Sequence, residues 1–111
     1  MKKCISLLVL AATLFSPASY AGFTVYGPGG QSCGLWLEER KSDDRGNLYT
    51  RAWLAGYVTG VILALSGDDS EKYRKTDLSS MVAFIDKWCR ENPLETVHEG
   101  ANNLVWNLER K

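Results

Sequence analysis

The stretch NLYTRAWLAGYVTGVILALSG, Asn47 to Gly67, is apolar on nearly every side between Ala52 and Leu65. A helix of that kind is either buried all round or set in a membrane. The uninterrupted apolar run is 14 residues long, short of the roughly 20 that a membrane span needs. Arg51 on one side and Gly67-Asp68-Asp69 on the other close it off. The run therefore reads as the buried central helix of a small domain, without stable membrane insertion. Gly56 and Gly60, four residues apart, leave a shallow groove where another helix of the same domain can approach closely. Trp53 and Tyr57 stand beside those glycines and read first as core anchors. The alternative makes Trp53, Gly56, Tyr57 and Gly60 a groove for a protein partner.

The flanking segments are also helical in pattern. Ser32 is a candidate N-cap for CGLWLEERKS, with Trp36 and Leu37 inward, Glu38 to Lys41 solvated, and Asp43-Asp44-Arg45-Gly46 as the break. Asp77 is a candidate N-cap for LSSMVAFIDKWCREN, in which Leu78, Val82, Ile85 and Cys89 recur at helical spacing. Asn92-Pro93-Leu94-Glu95 combines a cap, a proline at the first helical position and a glutamate at the third. It predicts a last helix with Leu94, Val97, Ala101, Leu104 and Leu108 on one face. Strand-like character is limited to Phe23–Tyr26. The fold class is all-α, a four-helix domain with one tryptophan in each helix: Trp36, Trp53, Trp88 and Trp106.

The N-terminal segment MKKCISLLVLAATLFSPASYA has the order of a secretory signal: Lys2-Lys3, an uncharged 11-residue run from Ile5 to Phe15, Pro17, then Ser19-Tyr20-Ala21. Cleavage after Ala21 divides the chain into a signal peptide, 1–21, and a single helical domain, 22–111. Cys4 lies before the apolar run, where a lipoprotein cysteine would not, and leaves with the signal. Cys33 and Cys89 remain, and an oxidising compartment makes a disulfide their default state. Losing Lys2 and Lys3 from a chain with 13 basic and 13 acidic residues leaves a slight acidic excess. With no basic stripe, nucleic acid is not an expected partner.

Other motifs weigh against cofactors and catalysis. YGPGGQSCG, Tyr26 to Gly34, lacks the lysine and hydroxyl that a phosphate loop places after its last glycine, so it reads as a flexible entry loop. Cys33 has no neighbouring thiol for redox exchange. His98, the only histidine, could serve as a base for Ser79 or Ser80 or as a pH sensor, yet an exposed or helix-capping role is the simpler reading. No metal-ligand spacing joins His98 to the cysteines. SGDDSEKYRKTD puts Lys72 at a calcium-ligand position and reads as a solvated loop.

Taken together, GGQSCGLWLEER, AWLAGYVTGV and DLSSMVAFIDKWCRENPLETV resemble a group of small exported bacterial helical proteins, similar to the Rap/Tai immunity proteins of type VI secretion and distantly to the HdeA-type fold. The resemblance runs from about Gly29 to Leu108, on Cys33, Trp53-Leu54-x-Gly56-Tyr57, and Trp88-Cys89 followed by Asn92-Pro93. It implies an HdeA-like bundle stapled by Cys33–Cys89 and a periplasmic location. The expected function is non-enzymatic protein binding, most simply that of an immunity-like protein neutralising a secreted toxin. The alternative is an acid-activated periplasmic chaperone of the HdeA type. No cofactor is expected; the oligomeric state stays open, a dimer included.

Overall fold

The structure, a computed structural model, describes residues 24–42, 44–69 and 71–111. The expected signal peptide, 1–21, and its cleavage point lie outside them. Of the strand-like stretch Phe23–Tyr26, residues 24–26 have no regular secondary structure.

Ser32 caps the first helix, α1 (Cys33–Glu39), its Oγ accepting the Leu35 amide hydrogen at 3.1 Å. The chain then turns, but the break is shorter than Asp43–Gly46: α2 (Asp44–Ser66) already contains Arg45 and Gly46. Gly67, at φ +56°, follows it in the left-handed region that suits a helix end. Asp77 caps α3 (Leu78–Glu91). Its Oδ1 accepts the Ser80 amide at 2.7 Å, and that bond holds the carboxyl below the usual carboxylate range.

Asn92 does not open the last helix. It closes α3, with its amide and its Nδ2 both donating to the Trp88 carbonyl, at 2.9 and 3.0 Å. α4 (Val97–Leu108) starts instead from Thr96, whose Oγ1 accepts the Glu99 amide. The reason lies in the entry loop. Cys33 donates its amide to Glu95 and Val97 donates to Gln31, at 2.8 and 3.0 Å. That pairing holds Thr96 extended, in an antiparallel bridge with Ser32, and delays the helix to Val97. Leu94 is accordingly 96% exposed and leaves the predicted apolar face. A second bridge, Tyr73 with Glu109, secures the other end of α4 through Arg74 to Leu108 and Arg110 to Lys72, at 2.7 and 2.8 Å. The segment after α2 is thus more than a solvated loop, since it buries Tyr73.

The centre of the domain is α4, not α2. α4 buries Val97, His98, Gly100, Ala101, Leu104, Val105 and Leu108, and packs against α3, α2 and the 3-10 turn Gly27–Gly30. α2 buries one stripe, Thr50, Leu54 and Val58, with Val61 and Ile62 half-buried beside it. The expectation of a helix buried all round fails because a small domain has too little chain to cover a helix of 23 residues on every side. Close packing inside the domain does not occur at Gly56 or Gly60 either: a Cβ built on each meets nothing within 4 Å. Within the long helices the glycine that does admit a close neighbour is Gly100, where a Cβ would sit 2.8 Å from Trp88 Cε3.

Cys33 and Cys89, both fully buried, form the disulfide that joins α1 to α3. Asp86 ties the same two helices together, accepting from Trp36 Nε1 at 2.7 Å and from Arg40 Nε at 2.9 Å and Nη2 at 3.0 Å. Arg40 is therefore a cross-helix partner and not merely solvated. Glu39 likewise accepts from Gln31 Nε2, whereas Glu38 and Lys41 stay exposed and pair with each other.

Cys89→Ser opens a link across 56 residues and is expected to cost about 2–5 kcal/mol in urea titration. The two kinds of glycine predict opposite signs. In dilute solution Gly56→Ala should stabilise by about 0.5–1 kcal/mol, since only helix propensity changes. Gly100→Ala should destabilise by about 1–3 kcal/mol through overpacking against Trp88, and equal shifts for both would refute the assigned packing.

Candidate functional site

Two adjoining surfaces of α2 carry the features from which a binding site can be built. The first is its outer face. Leu48, Tyr49, Ala52, Gly56, Thr59, Gly60, Leu63 and Ala64 are all exposed, and at 3.6 residues per turn they fall within an arc of about 160°. None of them is charged. Leu48 is 70% exposed, and Tyr49 and Leu63 are each 65%. Scattered apolar residues on a surface are ordinary, but a contiguous uncharged face marks an interaction surface. By length and composition alone, Leu48–Ser66 could also cross a membrane, with 17% of it buried.

The second surface is an aromatic cleft of about 340 Å³, lined by Thr24, Val25, Tyr26, Trp53, Tyr57 and His98. The glycine-rich loop makes it. Gly27 takes φ +79° and the chain winds through the 3-10 turn Gly27–Gly30. A Cβ on Gly29 would lie 2.1 Å from Trp53 Cζ2, so only glycine lets the indole lie there. Trp53 Nε1 donates to the Tyr26 carbonyl at 2.9 Å. The loop is consequently packed against α2 and held, which corrects its reading as a flexible entry.

Trp53 stacks on Tyr57, centroids 5.0 Å apart at 14°, and Tyr57 meets His98 edge-on at 5.4 Å and 78°. Both residues pack partly against the core and partly line the cleft, so the two roles weighed for them are combined. Gly56 and Gly60 lie around the helix on the exposed face and do not line the cleft. His98 is buried, contrary to an exposed or capping role. It sits in the first turn of α4, next to the segment that the loop bridge pulls in, and its Nε2 is 3.3 Å from Asn102 Nδ2. Asn102 Oδ1 accepts the Tyr57 hydroxyl at 2.7 Å, and His98 Nδ1 is 3.7 Å from Glu99 Oε1. A polar relay thus runs from Tyr57 through Asn102 to His98, and Glu99, at 3.7 Å, stands beyond hydrogen-bond length. The sequence carries a partial signal of it, His98 and Asn102 four apart on one helix face; Tyr57, on α2, has none.

The relay does not reach a nucleophile. Ser80 gives its amide to the Asp77 cap and lines an opening with Leu104, Asn107 and Leu108, toward the far end of α4. That is about 10–15 Å along the helix from His98. The pairing of His98 with Ser80, open as an alternative in the sequence, is not formed. Cys33 and Cys89 bind each other, and among the described residues no group of three His, Cys, Asp or Glu side chains is placed to share a metal ion.

Burial raises the Tyr57 phenol above its ordinary value of 10.0; the nearby Glu99 carboxylate adds to the shift and the Asn102 bond opposes it. The protonated form is the one the fold favours. Its contribution is complete below pH 10 and is lost as pH rises through the folded-state value. Absorbance titration should show a tyrosine ionising above the ordinary value of 10.0, and Tyr57→Phe should remove that step. The same substitution leaves Asn102 Oδ1 without its donor and should cost about 1 kcal/mol; unchanged stability would count against the relay.

Comparison with family models, with curated proteins and with solved structures finds no match for this chain.

Proposed function

We propose that this chain is an exported, non-enzymatic protein-binding domain of the periplasm, acting as an immunity-like protein that neutralises a toxin. The observation that carries the reading is the outer face of α2, where Leu48, Tyr49 and Leu63 stand open beside Gly56 and Gly60 with no charged side chain among them. Proteins retain such a surface where another molecule covers it. Trp53 and Tyr57 at its edge are the residue types that dominate binding energy at interfaces. A scaffold stapled by Cys33–Cys89 presents that face with little ordering cost. The signal-like segment 1–21 supports export, the disulfide weakly favours an oxidising compartment, and the resemblance to the Rap/Tai proteins and the HdeA-type fold supplies the kind of partner.

The same open apolar face would also suit an acid-activated chaperone, which holds denatured clients by apolar contact. The two readings part in one experiment. The protein is mixed at about pH 7 with purified toxins encoded next to it, and at about pH 2–3 with an aggregation-prone client. A stoichiometric neutral complex is expected, weakened at least about tenfold by Gly60→Arg, which adds a charge where the fold leaves open space. Suppressed aggregation in acid without any neutral complex would transfer the assignment to the chaperone. Failure of both assays would remove both readings.

A further inference from the structure

Two basic pairs, Arg74-Lys75 and Arg110-Lys111, lie far apart in the sequence, and the bridge of Tyr73 with Glu109 brings them together at the end of α4. An opening of about 610 Å³ is lined there by Arg74, Trp106, Asn107, Glu109, Arg110 and Lys111. A second, of about 360 Å³, shares Arg74 and Asn107 with it and runs on past Lys75, Thr76 and Ser80 to Phe84. The two make one groove, with Arg74 at its middle, Trp106 toward one end and Phe84 toward the other. The groove is basic and already set. Its four cations face one acid, Glu109, which pairs with Lys72 at 3.8 Å. Arg110 reaches Glu71 only at 4.0 Å, and Arg74, Lys75 and Lys111 form no ion pair among the described residues. Arg74 is fixed by its amide, which donates to the Leu108 carbonyl at 2.7 Å, and by Nη2, which donates to the Asn107 carbonyl. Most of its guanidinium N–H donors are left for a ligand. Trp106 is 66% exposed, and tryptophan and arginine are the residues that dominate binding energy at protein interfaces.

We infer that this groove takes an acidic, extended segment of another protein, its carboxylates on Arg74 and Arg110 and an apolar side chain against Trp106. A guanidinium matches a carboxylate as a two-pronged fork, and clustered arginines are a recurrent means of recognising acidic motifs. Other polyanions fit less well. A bilayer is met by several open apolar side chains, whereas Leu104 and Leu108 are buried in the floor of the groove and Phe84 is half-buried. A single nucleic-acid strand asks for successive stacking platforms, and Trp106 is the one open aromatic residue in the lining. No residue of α2 lines the groove, so the inference stands apart from the outer face of that helix.

Fluorescence titration of the protein as the cell processes it tests this. The probe is a peptide of about ten residues, glutamates between flanking phenylalanines, and its comparison carries glutamines in place of the glutamates. The acidic peptide should saturate below about 1 mM at low salt and weaken as salt is added. Its binding should move tryptophan emission to shorter wavelength, and Trp106→Phe should abolish that shift. Lys75→Glu with Lys111→Glu, both at exposed positions, should keep the helical spectrum and weaken the peptide at least about tenfold. Lys41→Glu with Lys87→Glu changes the net charge equally but lies outside the groove, and should leave the affinity within about twofold. No binding, equal binding of the two peptides, or equal weakening by the two pairs of substitutions overturns the proposal. So does tighter binding to phosphatidylethanolamine–phosphatidylglycerol vesicles or to a single-stranded oligonucleotide of the same charge, which assigns the groove to lipid or to nucleic acid. Gly60→Arg should not affect the peptide. If the peptide fails while a neutral-pH toxin complex forms and responds to Gly60→Arg, the groove alone is lost; if the peptide binds and that complex does not form, the outer-face reading alone is lost.

Discussion

The join between α1 and α3 is the constraint on which the remaining structure depends. A helix of seven residues has almost no independent stability in water, so α1 exists because α3 holds it in two ways. Covalently, Cys33 is bound to Cys89; one turn along α1, Trp36 and Arg40 converge on Asp86, one turn before Cys89. The two links act on the same faces of the two helices and fix their mutual rotation as well as their separation. Once α1 is fixed, the residues that precede it are fixed too. Gln31 and Cys33 reach the first turn of α4, and the 3-10 turn before them is laid under Trp53.

That sequence of attachments explains how the candidate surface is built. The glycine loop belongs to the N-terminal side of α1, His98 to the start of α4, and Trp53 and Tyr57 to the middle of α2. They share one cleft because the loop spans from α4 to α2. The aromatic stack then becomes the boundary between the packed half of α2 and its open half. Binding at the open face would press on side chains that also contact the core, so that face and interior are mechanically continuous through Trp53 and Tyr57.

The helical segments, the caps Ser32 and Asp77, the stripe Val82–Ile85–Cys89 and the disulfide were legible in the sequence, because each depends on local spacing or on a count of cysteines. The misreadings have a common physical origin. All-round apolarity in α2 was equated with burial, yet apolarity permits burial without supplying neighbours, and the available neighbours reach only one side. α4 is less apolar in appearance, with His98, Asn102, Asn103 and Asn107, but holds the centre. At Asn92–Glu95 a strong local capping signal lost to a pair of backbone hydrogen bonds, Cys33 to Glu95 and Val97 to Gln31, that join positions more than 60 residues apart in the chain, which no local pattern records. The aromatic cleft was half visible: Trp53 and Tyr57 could be singled out, whereas their meeting with His98 required the long-range fold.

The bridges at the two ends of α4 are made wholly from main-chain groups. The bonds themselves ask nothing of the side chains at the crossing points: the Val97 amide can give its hydrogen to the Gln31 carbonyl whatever those side chains are, and it is the core and the disulfide that hold Val97 and Cys33 to their identities. What such a bridge forbids is the loss of a donor. Cys33, Arg74, Val97 and Arg110 each give up their amide hydrogen to it, and proline is the one residue with none to give. The closure of this fold therefore leaves its own imprint on the sequence as an exclusion, four positions closed to proline, instead of as a motif.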